Sequence, residues 1–350
     1  MSKLITTTTI DPTIWNDFVT RHPLGTIYHH SLWQNVIRKT YGYQPLYHLL
    51  LNESSSLEAA ISSVFVRSRF TGNRIISYPF SDSCDPLVSN SAELAVLMEA
   101  MERTRSELNA KFIELRFAKN GHLMDNDPCH PEYYTYHLSL DRDVDELFRS
   151  FHKNCIQRAI KKANQEQLEI VTGGSLQDLK TFYHLHIMTR KKHGVPIQPF
   201  RFFKNLWNAL FPKGMLGLLL VRHKDMFVAG IIILYLKETA YYKYGASDDR
   251  FFHLRANQCL MWEAIQRAHE KGCSRFDFGR ASTADMGLAQ YKSRWGTQTL
   301  ALNYLQIPHN LKCPALTERS KQHSILKKLI KLMPKLGIRI SGKILYRHLA

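Results

Sequence analysis

FDFGRASTADMGLAQYKSRWG, residues 276–296, passes from a strand-like ending through a polar loop into a short helix rich in cations and aromatics. On that helix Leu288, Tyr291 and Trp295 recur at i, i+3 and i+7, which predicts an apolar stripe facing a core. Lys292 is displaced from the stripe by one residue step, roughly 100°, so its ammonium is expected to be half buried at the stripe's edge. A desolvated ammonium beside an apolar wall suits the stabilisation of a developing oxyanion in acyl transfer, an effect worth roughly 100- to 1000-fold in rate per donor. The plainer alternative is a surface lysine whose stem covers apolar neighbours while its head stays in water.

Outward from this stretch the chain divides into two halves of similar element order. The first half reads as helix DPTIWNDFVTRH capped by Asp11, helix SLWQNVIRKTYG with Ser31 as cap and Gly42 at its end, and strands QPLYHLLLN, EAAISSVFVRS and RIISYPF. The loop SDSCDP, the long helix SAELAVLMEAMERTRSELNA and the strand FIELRFA close it. After the polar loop GHLMDNDPCHPE comes strand TYHLSL and a basic helix over 143–166, then strand LEIVTG and a helix capped by Ser175. Three successive strands, MLGLLLVRH, FVAGIIILYL and AYYKYGAS, lead to helix ANQCLMWEAIQRAHEKG, and SRFDFG and TLALNYLQ follow as strands. At 350 residues the chain exceeds the usual size of one domain, roughly 100–200 residues, so two units and a tail are expected at 1–132, 133–310 and 311–350. The expected fold class is α/β with mixed sheets.

Composition narrows the partners. The net charge is +17, and from Lys321 to the end there are eight Lys or Arg and no acid, so a polyanion is implied: tRNA, nucleotide phosphates or an anionic membrane. The tail HSILKKLIKLMPKLGIRISGKILYRHLA alternates apolar and cationic residues and reads either as a membrane-surface anchor or as a helix packed on the body. The longest apolar run, Met226 to Leu236, is too short to span a bilayer and suits a buried strand. No secretory leader pattern opens the sequence, and the six cysteines form no CxxC pair, so a reducing cytoplasm is expected. The anchor reading of the tail adds the inner face of the plasma membrane as a place of work.

Residue patterns exclude several chemistries. GxSxG, Walker, HExxH and GxGxxG motifs are all missing, so serine hydrolase, P-loop, zincin and Rossmann readings lack their minimum residues. His184 and His186, two apart on a helix, point to different sides, and no metal is expected. Arg158, Lys161 and Lys162 cluster on the basic helix, where Arg forks and Lys point charges suit phosphate oxygens; a solvated face is the bland alternative. In AYYKYGASDD strand alternation puts Tyr242 and Tyr244 on one face with Lys243 opposed.

FDFGR followed by GLAQYKSRWG, with YYKYGASD and RKKHGVP upstream, the NCIQRAIKKA helix and the YPFSDSCDPL loop, resembles the FemAB-type family of peptidoglycan bridge-forming transferases and its exopolysaccharide-associated relatives. The resemblance runs from about Ser31 to Tyr304. It implies two GNAT-like units facing each other across a cleft, and transfer of an acyl or aminoacyl group onto an amine of a cell-envelope precursor. It also implies roles: Lys292 at the oxyanion, Tyr291 positioning the donor, and Asp248 or Asp277 as candidate proton acceptors, with Asp277 alternatively paired to Arg280. Arg280, Asp277, Tyr242 and Tyr244 would bind substrate, Asp82 and Asp85 a cationic amine, and Arg158, Lys161 and Lys162 a phosphate or tRNA. The donor is aminoacyl-tRNA or acyl-CoA, with no tightly bound cofactor. Two features depart from the pattern. No long charged helical hairpin is inserted, and HLRANQC opens its helix without the glycines of a pyrophosphate loop. An acyl-CoA-dependent N- or O-acyltransferase is thus the enzyme rival, and a non-catalytic envelope-assembly or nucleic-acid-binding protein the rival of another class.

Overall fold

Several helices begin where a side chain can take up backbone N–H groups left without an intrahelical partner. In the computed structural model, which describes residues 3–69, 71–118, 133–308 and 328–334 and positions 337, 338, 342, 346 and 348, Asp11 Oδ1 accepts from Thr13 and Ile14 N–H at the head of the first helix. Ser175 and Asp178 form a reciprocal capping box, and Asp285 caps the helix that carries Lys292. The second helix differs from expectation: Ser31 is its first residue, and the cap is the His30 ring nitrogen. Gly42 ends that helix with φ 75°, a left-handed turn that favours glycine.

The chain forms two compact units. The first holds β1 (Lys3–Thr7), α1 (Pro12–Arg21), α2 (Ser31–Tyr41), β2 (Gln44–Leu51), β3 (Leu57–Val66), β4 (Arg74–Ser77), α3 (Ser91–Glu107) and β5 (Ile113–Ala118). Strands β1 to β5 lie side by side in chain order, antiparallel up to β4, with β4 and β5 parallel. Leu97, Met101, Ile75, Ile113 and Leu115 are fully buried in its core.

The second unit opens with β6 (Tyr133–Ser139) and α4 (Val144–Ser150), then a π-helical turn (Lys153–Gln157) and α5 (Arg158–Ala163). It continues with β7 (Leu168–Thr172), α6 (Leu176–His193), α7 (Phe200–Leu210), β8 (Leu216–His223), β9 (Met226–Leu236) and β10 (Thr239–Ser247). A 3-10 turn (Asp249–Leu254), α8 (Ala256–Glu270), β11 (Arg275–Ser282) and α9 (Met286–Ser293) complete it. Its strands stand in the order β6-β11-β10-β9-β8-β7. The single basic helix expected over 143–166 is broken into three pieces, because His152 turns its ring nitrogen to Cys155 N–H and gives its own N–H to the Arg294 carbonyl.

The last strand, β12 (Gln298–Ile307), also departs from expectation. From Leu302 to Ile307 it pairs antiparallel with β5, so these residues group with the first unit and not with the second. The expected boundary at 310 therefore follows sequence order, whereas the contacts follow the pairing. Most of the tail expected over 311–350, with Cys129 and Cys313, lies outside the described residues.

A bulge in β10 decides where its tyrosines go. The pairing with β9 slips between Tyr242 and Tyr244, so Lys243 is an extra residue and the alternation of faces is reset. Tyr242 packs with the α8 and α9 side of the sheet, while Tyr244 meets His186 and Phe203 of α6 and α7. The two tyrosines are on opposite faces, not on the one face that strict alternation predicts. Gly245 permits this, since a Cβ there would collide with the Tyr242 hydroxyl. Gly245→Ala is expected to lose about 1–3 kcal/mol through overpacking, read as a lower urea midpoint. The double variant Gly245→Ala/Tyr242→Phe should recover most of that loss.

Candidate active site

Burying an ammonium is costly unless its N–H donors are satisfied. Lys292 is only 4% exposed, deeper than the half burial expected, and its Nζ donates to the carbonyls of Gly279 and Arg280, each at 2.8 Å. The Tyr136 ring lies beneath it, 5.6 Å from Nζ to centroid. Those two consecutive carbonyls point the same way because Gly279 takes φ 68°, a conformation that costs a side-chain-bearing residue roughly 1–2 kcal/mol. Asp277 Oδ1 stabilises the bend by accepting from Gly279 N–H at 2.7 Å.

An aromatic wall surrounds the lysine. Trp295 is fully buried against Phe151 and Phe278, and Tyr291 stands edge-on to it at 6.2 Å. Of the predicted stripe, Tyr291 and Trp295 face the core, whereas Leu288 is exposed because α9 ends before Trp295 and the chain turns. Burial pushes the Tyr291 hydroxyl above its ordinary range, with Tyr242 adding to the shift. The Tyr242 hydroxyl is raised by burial to about 12. Both phenols are neutral near pH 7 and serve as hydrogen-bonding groups. Alongside them β10 and β11 run parallel for only three residues, Thr239–Tyr241 with Arg275–Asp277, and the ladder ends there.

Other expected residues lie elsewhere. Phe276 and Phe278 join the core with Trp295; Asp277, between them on β11, faces the other side, where Thr135 donates to it at 3.1 Å and His137 Nε2 lies 3.6 Å away. Asp248 ends β10, caps the 3-10 turn and is held by Arg250 at 2.6 Å, so it serves here as cap and ion-pair partner. Arg280 gives Lys292 its carbonyl, with its side chain half buried. Arg158, Lys161 and Lys162 are exposed on α5, and none of the three is in an ion pair among the described residues. His184 is exposed, while His186 is buried and its ring held neutral, pushed down to about 3 by burial. A pocket of about 190 Å³ opens at the start of α8, lined by Ser247, Asp248, Phe252, Arg255 and Asn257. Arg255 caps that helix with φ 60°, in the position where a glycine would be unstrained.

In the first unit, Asp82 accepts from Tyr28 at 3.0 Å and its backbone carbonyl from the Tyr304 hydroxyl. Asp85 accepts from Ala118 N–H, and its carbonyl meets the His29 ring. Burial raises the Asp85 carboxyl to about 7, so near neutrality it is only partly an anion. A second cavity of about 290 Å³ is lined by Arg38, Ser31, Asn35, Thr8 and Thr9. Arg38, Tyr136 and His137 are missed by motif reading, because an isolated arginine on a helix and two residues of an ordinary strand carry no spacing signal.

Residues 150–293 match the acetyltransferase (GNAT) domain family. The crystal structure of FemX superposes with TM-score 0.70 at 16% identity, over 90% of this chain and all of that one. The fold is FemX-like. A tandem GNAT protein from the clavulanic acid biosynthesis pathway matches more loosely, with TM-score 0.53 at 8% identity, over 87% of this chain and 98% of that one. In sequence, the lipid II:glycine glycyltransferase of Staphylococcus saprophyticus is 26% identical over 80 residues. That match spans 21% of this chain and 19% of the relative's length.

A GNAT domain match and a FemX-like fold are thus what the comparisons return, and the GNAT match contains Tyr291, Lys292, Asp277 and most of the aromatic wall. Asp82 and Asp85 lie outside the matched segment. For Asp85 the linkage has a definite sign: with the carboxyl at about 7 when folded against an ordinary 3.8, the native state holds the proton longer, so this group's stabilisation is full below pH 4 and lost as pH rises to 7. The difference in urea midpoint between wild type and Asp85→Asn is expected to shift in the variant's favour across pH 4 to 7 and to be flat above.

Proposed function

We propose that the protein is an acyl- or aminoacyltransferase that forms an amide on a cell-envelope precursor of the peptidoglycan or polysaccharide type. The buried Lys292 ammonium, held by the Gly279 and Arg280 carbonyls beside a wall of neutral phenols, is the observation that carries this reading. An acceptor amine attacks the activated carbonyl, and negative charge gathers on the carbonyl oxygen. Lys292 turns a donor toward that oxygen from a site already desolvated, so little reorganisation is needed as the charge develops. Tyr291 and Tyr242 orient the acyl group by hydrogen bonding. The amine's proton leaves with the departing oxygen or thiolate, a substrate-assisted route, since the Asp248 and Asp277 carboxylates are engaged by Arg250 and by the Gly279 bend.

Arg158, Lys161 and Lys162, exposed and without ion-pair partners among the described residues, suit the phosphates of a charged tRNA. Asp82 suits a cationic amine, and the Arg38 cavity an anionic group. The named relative acts on lipid II with glycine, which supports a lipid-linked acceptor and work at the cytoplasmic face of the membrane, with the basic tail toward anionic lipid. One observation favours an acyl-CoA donor instead: the pocket at the start of α8, where Arg255 and the N–H groups of the first helical turn suit a diphosphate.

A donor screen separates these, charged tRNAs against acyl-CoAs, with the acceptor pool read by mass spectrometry. Lys292→Ala is expected to lower turnover roughly 100- to 1000-fold with an unchanged circular dichroism spectrum; near-normal turnover would sink the oxyanion role. With a tRNA donor, the triple variant Arg158→Ala/Lys161→Ala/Lys162→Ala should weaken tRNA binding and flatten its log–log salt dependence by about 0.7–0.9 for each phosphate no longer neutralised. With an acyl-CoA donor the same variant should turn over normally.

A further inference from the structure

We propose that the second unit docks on an anionic lipid surface through a composite patch formed by the first turn of α9, the C-terminal end of α6 and the tail turn at 328–332. The inference deepens the membrane-face reading above by assigning the surface that makes the contact, and it brings the helix of Lys292 to the lipid headgroups.

The two most exposed large apolar side chains among the described residues are Leu332, 82% exposed, and Met286, 79% exposed. They belong to elements at one end of the sheet: Thr189, near the end of α6, bonds Ser247 at the end of β10, β11 runs parallel to β10 and leads into α9, and the His193 ring at the end of α6 feels the charges of Asp285, which caps α9, and Lys331. Leu329 and Leu288 add to the exposed apolar area, and Phe252 flanks it, its ring 4.1 Å from Lys192 Nζ. A tail that merely packed on the body would turn its leucines inward. Here Ile330 and Ile338 are fully buried and secure the segment, while Leu329 and Leu332 remain outside.

Charge selects the occupant. Lys192, Lys328 and Lys331 surround the patch and are exposed. Among the described acids, Asp285 accepts from Leu288 N–H, Asp249 pairs with Lys192 at 3.4 Å and Asp248 pairs with Arg250. The final thirty residues carry eight cations and no acid. Exposed apolar side chains rimmed by lysines fit the headgroup region of a membrane that contains anionic lipid, where the apolar groups enter and the cations meet phosphate. Met286 opens α9 and Lys292 follows six residues on, roughly 9 Å along the helix axis, so docking places the helix that carries Lys292 at the membrane surface.

The test is co-sedimentation of the full chain with vesicles of phosphatidylcholine alone and of phosphatidylcholine with 30% phosphatidylglycerol, about 0.1 M salt being chosen so that the Debye length is near 10 Å. Wild type is expected to partition at least about 10-fold more strongly onto the anionic vesicles, by the summed attraction of several cations. Met286→Asp/Leu332→Asp and Lys328→Glu/Lys331→Glu should each lose most of that partitioning while keeping the wild-type melting temperature. Equal partitioning onto both vesicles, or unchanged partitioning of the Asp double variant, overturns the proposal. So does a wild-type dimer in the ultracentrifuge that the Asp variant dissociates, since a second copy then covers the patch. Transfer onto a water-soluble acceptor is read in parallel: if wild type docks but transfers nothing, the transferase reading fails and the docking surface stands. If it transfers normally but does not dock, the reverse holds.

Discussion

Lys292 can be charged inside the protein because two backbone carbonyls, those of Gly279 and Arg280, converge on its Nζ at 2.8 Å. Much of the second unit is arranged around that requirement. The carbonyls converge through a left-handed Gly279, Asp277 stabilises the bend from the opposite face of the sheet, and Tyr136, Tyr291 and Trp295 close the apolar surroundings. Removing a polar member of this set leaves a buried atom without its partner, which costs more than the net value of the bond itself. The arrangement is therefore cooperative, and Asp277 belongs to it through its bond to the Gly279 amide.

The bulge at Lys243 has a comparable reach. One additional residue in β10 sends Tyr242 toward α9 and Tyr244 into the aromatic cluster of α6 and α7. Of the two, Tyr242 is then on the side of α9, and it rests on Gly245, where no side chain would fit. Tyr291 has Tyr242 as its neutral phenol neighbour because of this slip in register.

Electrostatics divides the molecule's functions. Carboxylates that motif reading offers as bases or anchors are engaged elsewhere: Asp248 by Arg250, Asp277 by the Gly279 amide, and Asp85 is raised to about 7 by burial. Exposed cations on α5 and on the tail turn have no such internal engagement among the described residues and face outward. Exposed cations thus stand at the surface, while one ammonium, that of Lys292, is desolvated in the interior.

Several features are legible in the sequence alone because they depend on nearest neighbours. Asp11 and Ser175 as caps, Gly42 as a helix end, Met226–Leu236 as a buried strand and the aromatic-lysine segment at 291–295 all follow from local hydrogen bonding and periodicity. What tertiary structure decided involves partners far apart in the chain. β12 pairs with β5 nearly two hundred residues earlier, His152 breaks the basic helix by bonding to Arg294, and Thr135 and His137 meet Asp277. A bulge likewise depends on the register of the neighbouring strand. Local spacing carries no information about such contacts, because hydrogen bonds and burial are settled by whatever chain lies alongside, and that is fixed only once the sheets are assembled.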